Sequence, residues 1–138
     1  MNSEIYIYNL LAKGKEEAVR EILSKFSLEN EDMAFRDIME RERLSSTLVS
    51  PAIAIPHAKS RSVSAFTYAV ARSLEGVSWD GGQARIIILT LSPYSLASEQ
   101  VLFLSRIARF LEDDENVDRI MNAQSPEEME EVFLNYAT

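Results

Sequence analysis

Apolar residues near both ends of the chain recur at every third or fourth position, which is the spacing of amphipathic helices. One stripe near the start consists of Ala18, Val19, Ile22, Leu23 and Phe26. This stripe predicts a helix over residues 15–26, and a similar pattern predicts a second helix over about 30–43. The C-terminal third predicts further helices over about 98–111 and 116–122, and a last helix that begins at Pro126.

The C-terminal helices differ in how clearly the sequence defines them. Ser125 fits the N-cap and Glu128 closes a capping box, so the start of the last helix is well marked. In the helix over 98–111, helical spacing selects a core stripe of Val101, Leu104, Ala108 and Leu111. We expect each of these helices to bury one face.

The middle of the chain has short apolar runs, which are typical of strands. Residues 53–55 form a brief run that a proline ends, because proline cannot donate a ladder hydrogen bond. Residues 65–74 alternate large and small side chains, and residues 85–91 (RIIILTL) are apolar on both faces. The last run predicts a central strand covered by helices on both sides. Turns are predicted around Gly76 and at residues 80–82, and a loop at 45–51.

Composition narrows the class of protein. The order of elements and a length of 138 residues predict one α/β domain over residues 1–138. A formal charge of −8 repels phosphodiester backbones, so no nucleic-acid partner is expected. Cysteine is absent, which excludes thiolate metal sites and cysteine nucleophiles. Without a signal-peptide layout or an apolar run near the ~20 residues of a membrane span, we expect a cytoplasmic protein with no membrane insertion.

The only histidine of the chain, His57, directly follows Pro56. Proline fixes its own φ and favours extended structure in the residue before it, so the backbone that carries His57 is stiff. A neutral imidazole is a nucleophile near neutral pH, because its reference pKa is about 6.5. A histidine that only forms a local hydrogen bond at a strand end is the ordinary alternative.

Side chains that suit a phosphoryl group lie near this histidine in the sequence: Arg41, Arg43, Ser46, Thr47, Ser50 and Lys59. Hydroxyls donate hydrogen bonds and a guanidinium offers a bidentate fork. The same residues also suit a helix end and a loop, where cations and hydroxyls are favoured for structural reasons. No glycine-rich phosphate loop and no metal-binding motif is present, so no metal site is predicted. Spacing alone therefore leaves a phosphohistidine site as one of two interpretations.

The segment MERERLSSTLVSPAIAIPHAKSRSV, residues 39–63, resembles the active-site segment of a known family. That family is the enzyme IIA domains, of fructose/mannitol and nitrogen-related type, of the bacterial phosphoenolpyruvate:sugar phosphotransferase system. Its Arg-Glu pair, Ser-Thr step and Ala-Ile-Pro-His strand end are matched without a gap by residues 41–42, 46–47 and 54–57. Residues 72–77 resemble a later family motif, and the resemblance covers essentially the whole chain.

This resemblance implies a fold and a function. The fold is a single-domain mixed β-sheet flanked by helices on both faces. By the same resemblance, His57 accepts a phosphoryl group from an HPr-type phosphocarrier. It passes the group to an enzyme IIB domain or holds it as a regulatory signal for a target protein. Arg41 would steady the phosphoryl group, with Ser46, Thr47 and Gln100 as phosphate-binding residues, and no cofactor is implied.

Two departures from the family pattern bear on transfer. Leu48, Ser50 and Ala52 occupy three glycine positions of the family loop, and Pro51 replaces its asparagine. Glycine permits positive φ and close approach of amides to a phosphate, so this loop predicts weaker transfer. Gln100 stands where the family tends to have a second histidine. A regulatory binding module without transfer activity, and a small hydrolase with a histidine base, therefore stay open as alternatives.

Overall fold

The computed structural model describes residues 3–137. Its helices are α1 (Lys15–Ser24), α2 (Glu31–Leu44), α3 (Ala97–Glu112), α4 (Asp114–Asn122) and α5 (Pro126–Ala137). Its strands are β1 (Glu4–Ile7), β2 (Leu48–Ser50), β3 (Ile53–Ala54), β4 (His57–Lys59), β5 (Thr67–Trp79) and β6 (Gly82–Ser92). A short 3-10 turn, Tyr94–Leu96, leads into α3. None of the described helices is long and apolar enough to cross a membrane.

The sheet is mixed, with β6 at its centre. β5 pairs with β6 in antiparallel register, and β1 adds to β5 in parallel. On the other side of β6, β3 and then β4 pair with it in parallel, and β2 adds to β3 in antiparallel register. The predicted mixed sheet is confirmed, and the predicted central run at 85–91 lies within β6.

Alternating side chains of the two long strands feed two separate cores. One face packs against α1 and α2 through residues such as Ala69, Ala71, Ile87, Leu89 and Leu91. The opposite face packs against α3, α4 and α5 through Tyr68, Val70, Ile86 and Ile88. Both faces of β6 are covered, which explains why its sequence is apolar without alternation. The prediction of helices on both faces is confirmed.

The helical stripes were predicted with unequal success. All the stripe residues of the first helical segment are 0% exposed, as predicted. In α3 the predicted stripe is wrong at Val101, which is 68% exposed, and at Ala108, which is also exposed. Ile107 and Phe110 are buried in their place. Apolar residues surround much of this helix, so periodicity alone did not select the buried face.

Several strand predictions are corrected. β1 was not predicted, and β2 lies where a loop was expected at 45–51. The turn predicted around Gly76 is instead an irregularity within β5, where the register with β6 shifts and Gly76 has a φ of 93°. The turn predicted at residues 80–82 is confirmed, because Asp80 and Gly81 have positive φ between β5 and β6.

Candidate functional site

His57 is the first residue of β4, at the point where this strand joins the sheet beside β6. It pairs with Thr90, whose amide donates to the Pro56 carbonyl over 3.0 Å. The C-terminal half of α2 and the first turns of α3 flank this point and leave an open cleft of about 630 Å³. The cleft is lined by Asp37, Glu40, Arg41, Leu44, His57, Ala58, Lys59, Tyr94, Gln100, Val101 and Leu104.

A backbone contact determines which nitrogen of the His57 ring can react. Nδ1 lies 2.9 Å from the carbonyl oxygen of Ile55. Because a carbonyl only accepts hydrogen bonds, Nδ1 carries the hydrogen in the neutral ring, and Nε2 keeps its lone pair. Pro56 separates these two residues and fixes the bend that brings ring and carbonyl together. The neutral ring is therefore presented as an Nε2 nucleophile.

Electrostatics also favours the neutral ring. Burial lowers the pKa of the His57 imidazole below its usual value of 6.5, and the positive charge of Arg41 lowers it further. The Ile55 carbonyl and the Glu42 carboxylate act in the opposite direction without reversing the result. At neutral pH, the imidazole thus carries a lone pair, which an attack on phosphorus requires.

The structure brings Arg41 and His57 to the same cleft. Arg41 lies in the last turn of α2, and its Nη1 donates to the carbonyl oxygen of Ser45 over 3.0 Å. Lys59 adds a second cationic side chain two residues beyond His57. The carboxylates of Asp37 and Glu40 line the same cleft, and Asp37 accepts a hydrogen bond from the Ser60 hydroxyl. The cleft therefore holds two cationic side chains, those of Arg41 and Lys59, together with the carboxylates of Asp37 and Glu40.

Ser46 and Thr47 do not line this cleft. Thr47 is 3% exposed, and both its amide and its hydroxyl bind the carboxylate of Glu42. Ser46 lies in a separate depression with Lys15 and Asp80, and its hydroxyl accepts from the Leu48 amide over 3.2 Å. These two hydroxyls stabilise the segment between α2 and β2. Their assignment to phosphate binding stays a prediction.

Gln100 does lie at the cleft, on the first turns of α3, and is 5% exposed. Its Nε2 donates to the carbonyl oxygen of Ala58 over 3.0 Å and to the Thr90 hydroxyl over 3.3 Å. The amide hydrogens are thus directed at β4, which carries His57, and at the neighbouring β6. In this arrangement the Gln100 side chain joins α3 to β4 and β6 through hydrogen bonds. Its contact with a phosphoryl group stays a prediction.

The segment that differs from the family's glycine loop is a short hairpin. Leu48 pairs with Ala54 and Ser50 with Ile53, so these two substituted positions belong to β2, while Pro51 and Ala52 form the turn to β3. The carbonyl of Ala52 accepts the amides of Arg85 and Ile86, which attaches the turn to β6. Sheet hydrogen bonds therefore hold this hairpin against β6, and two residues separate it from the strand that begins at His57.

Sequence reasoning missed the structural role of Glu42. Its side chain is 1% exposed and accepts hydrogen bonds from Thr47. It also forms an ion pair with Lys15, whose Nζ lies 3.0 Å from Oε1. A carboxylate in the last turn of a helix opposes the helix dipole, which favours cations there. That conflict is the sequence signal that could have indicated a tertiary partner for Glu42.

Comparison with known proteins assigns the class. A mixed sheet between two helical layers, with one histidine in a cleft at the sheet, agrees with the family named above. The chain belongs to the phosphoenolpyruvate-dependent sugar phosphotransferase system, EIIA 2 family, whose model matches residues 1–136. No cluster of His, Cys, Asp or Glu suited to a metal ion occurs among residues 3–137.

Individual relatives agree with this assignment. A fructose-specific EIIA component of the phosphotransferase system of Haloferax volcanii is 31% identical over 109 residues, which covers 77% of this chain and 71% of the relative. The nitrogen regulatory protein IIA-Ntr of Neisseria meningitidis superposes with a TM-score of 0.83 at 25% identity, over 92% of this chain and 91% of the other. In the Escherichia coli complex of enzyme IIA for mannitol with phosphorylated enzyme IIB, the matched chain has the same fold, with a TM-score of 0.77 at 20% identity, over 98% and 97%.

Proposed function

We propose that this chain is an enzyme IIA-type phosphocarrier that is phosphorylated on Nε2 of His57. The contact between Nδ1 and the Ile55 carbonyl carries this proposal, because it leaves Nε2 as the unprotonated nitrogen of a neutral ring. Membership of the EIIA 2 family supports it. The substituted positions 48 and 50–52 take no part in that contact.

The chemistry follows from these positions. The Nε2 lone pair forms a bond to phosphorus while the bond between phosphorus and the donor breaks, so the donor leaves with its electron pair. Positive charge then develops on the ring, and the hydrogen bond from Nδ1 to the Ile55 carbonyl stabilises it. Arg41 and Lys59, which line the same cleft, neutralise the charge of the phosphoryl oxygens. A loose transition state needs this neutralisation more than it needs covalent assistance. Transfer onward is the reverse of this step towards a new acceptor.

The donor in this proposal is an HPr-type phosphocarrier, and the acceptor is an enzyme IIB domain or a regulatory target. Exposed apolar side chains surround the cleft and would contact such partners: Leu44 (83%), Tyr94 (61%) and Val101 (68%). The Escherichia coli complex with enzyme IIB supports the first kind of acceptor, and the Neisseria relative supports a regulatory role. We place the protein in the cytoplasm, as a single domain over residues 1–138.

One observation favours a second candidate, a regulatory binding module without efficient transfer. Gln100 stands where the family tends to have a second histidine, and its amide hydrogens are used by Ala58 and Thr90. A site with fewer donors for the phosphoryl oxygens transfers more slowly. Partner binding by such a module would not depend on phosphorylation.

Intact mass separates the two functions. The protein is mixed with phosphoenolpyruvate, enzyme I and HPr, and its mass is recorded before and after brief acid treatment. A gain of one phosphoryl group that acid removes indicates phosphohistidine, and the single histidine locates it. The variant His57→Gln should show no gain while it keeps its melting temperature. No gain in the wild type, beside a competent enzyme IIA, would leave the binding module as the better function.

A further inference from the structure

Three distant segments of the chain meet on one ammonium group. Lys15 is the first residue of α1, and its side chain is only 17% exposed. Its Nζ lies 3.0 Å from Glu42 at the end of α2 and 2.8 Å from Asp80 in the turn between β5 and β6. Burial works against the charge, but the hydrogen bonds to Asp80 and Glu42 outweigh it, so the pKa of Lys15 is raised and the ammonium stays charged.

A continuous series of hydrogen bonds leads from this ion pair to the reactive histidine. The Glu42 carboxylate accepts from the amide and the hydroxyl of Thr47. The Thr47 carbonyl accepts the Ile55 amide over 2.9 Å, and the Ile55 carbonyl lies 2.9 Å from Nδ1 of His57. Ile55, whose carbonyl contacts the imidazole, is therefore itself held through its amide by the segment that Glu42 holds.

The ammonium is needed for Glu42 to stay where it is. A carboxylate with 1% exposure that loses its cation is strongly destabilised, so it moves. That movement alters its hydrogen bonds to Thr47. Residues that orient a reacting side chain through hydrogen bonds commonly lower activity by about one or two orders of magnitude when they are removed.

We propose that Lys15 is a positioning residue for His57. By holding Glu42, and through it Thr47 and Ile55, it keeps the Ile55 carbonyl where the imidazole hydrogen stays on Nδ1 and Nε2 stays free. The proposal rests on the proposed function of His57 for its catalytic meaning. Its structural part concerns the ring alone and is testable without any phosphoryl donor.

The test uses the nitrogen NMR signals of the single imidazole in the full chain. These signals report directly which ring nitrogen carries the hydrogen. Wild type and the control Lys13→Met should both show hydrogen on Nδ1, since Lys13 is an exposed side chain that pairs with the exposed Glu75. Lys15→Met should show a mixture of both tautomers, and Lys15→Arg, which keeps the charge, should restore most of the wild-type pattern.

The phosphorylation rate provides the second readout. With the same donor proteins, Lys15→Met should accept phosphate about tenfold more slowly than wild type, while Lys13→Met keeps the wild-type rate. A Lys15→Met protein that melts at lower temperature but keeps its tautomer and its rate would overturn the proposal. Should Lys15→Met fail to fold, Glu42→Gln removes the same ion pair from its other partner, and an unchanged tautomer there overturns the proposal equally.

The two proposals fail in distinguishable ways. If wild type takes up no phosphate, the phosphocarrier function fails, while the nitrogen spectra still decide whether Lys15 positions the ring. If wild type is phosphorylated and the Lys15→Met spectra match those of wild type, only the positioning role fails.

Discussion

Two cations, one buried and one partly buried, stabilise opposite sides of this sheet in different ways. Arg72, 1% exposed in β5, donates to backbone carbonyls: those of Tyr8, Ile120, Met121 and Ala123. Lys15, on the other side, binds the carboxylates of Glu42 and Asp80. Arg72 thus fixes the scaffold with neutral partners at the C-terminal end of α4, where carbonyls lack helical partners and favour a cation. Lys15 fixes the site with ionisable partners.

The difference has a physical consequence for how each region responds to change. Carbonyl partners do not titrate, so the attachment of α4 to the sheet is independent of pH. The ion pair at Lys15 depends on the charge of two carboxylates, and the segment before His57 depends on that pair. We therefore expect changes at Arg72 to affect mainly stability, and changes around Lys15 to affect function as well.

The largest loss of stability is expected for Arg72→Met. This change removes the Arg72 donor from four carbonyls, and the contacts to Ile120 and Ala123 are buried, so the free energy of unfolding should fall by about 3–5 kcal/mol. Urea denaturation measures the loss. Arg85→Met is the matched control, because Arg85 is exposed and donates to one carbonyl, that of Leu74; its loss should be below ~0.5 kcal/mol. Equal losses would contradict the anchoring role of Arg72.

A smaller loss of stability, with a greater effect on function, is expected for Glu42→Gln. The amide cannot pair with Lys15 as a carboxylate does, and one acceptor for Thr47 is lost, so unfolding should become easier by about 1–3 kcal/mol. Phosphate uptake by the folded protein should slow as well. Glu40→Gln is the control, because Glu40 lies in the same helix two residues earlier and is exposed. It tests the general effect of removing acid from α2 and should change stability by less than ~0.5 kcal/mol. If the Glu42→Gln protein takes up phosphate at the wild-type rate, the expected functional difference between the Lys15 side and the Arg72 side is contradicted.

The smallest effect is a pH dependence that belongs to the site alone. The folded pKa of His57 lies below its ordinary value of 6.5, so as pH falls below 6.5 the unfolded chain binds a proton before the folded one does. Stability from this group is fully present above pH 6.5 and is lost as pH falls towards the folded pKa. His57→Gln should remove that part of the pH dependence in urea titrations, whereas Arg72→Met should keep it.

Uptake of phosphate should follow the same ionisation. Because the folded ring stays neutral below pH 6.5, the rate should hold on the acid side of that value before it falls. A rate that already halves at or above pH 6.5 would contradict the lowered pKa.

The sequence predicted those parts of the fold that local patterns define. The stripe of α1 is one-sided, so its buried face followed from spacing, whereas α3 is apolar around much of its surface and its face depends on tertiary packing. β1 and β2 were missed because each is short and forms only by pairing with a distant strand. Propensity is a weak guide where tertiary pairing supplies the stability.

For the site, His57, Arg41 and Gln100, which the resemblance named, line one cleft, while their roles stay predictions. The resemblance did not distinguish them from Ser46 and Thr47, whose hydroxyls are used by the segment before β2. The ion pair of Lys15 with Glu42 joins residues from different helices. No local pattern encodes such a contact, so it became visible only in three dimensions.

The position of the only tryptophan gives the molecule an optical reporter. Trp79 is 0% exposed, and Lys15 Nζ lies 5.3 Å from the centre of its ring. Its indole N–H meets no acceptor within the described part of the chain. Movement of the ammonium changes the local field on the indole, so we expect the protein's own fluorescence to report on the ion pair of Lys15 with Glu42.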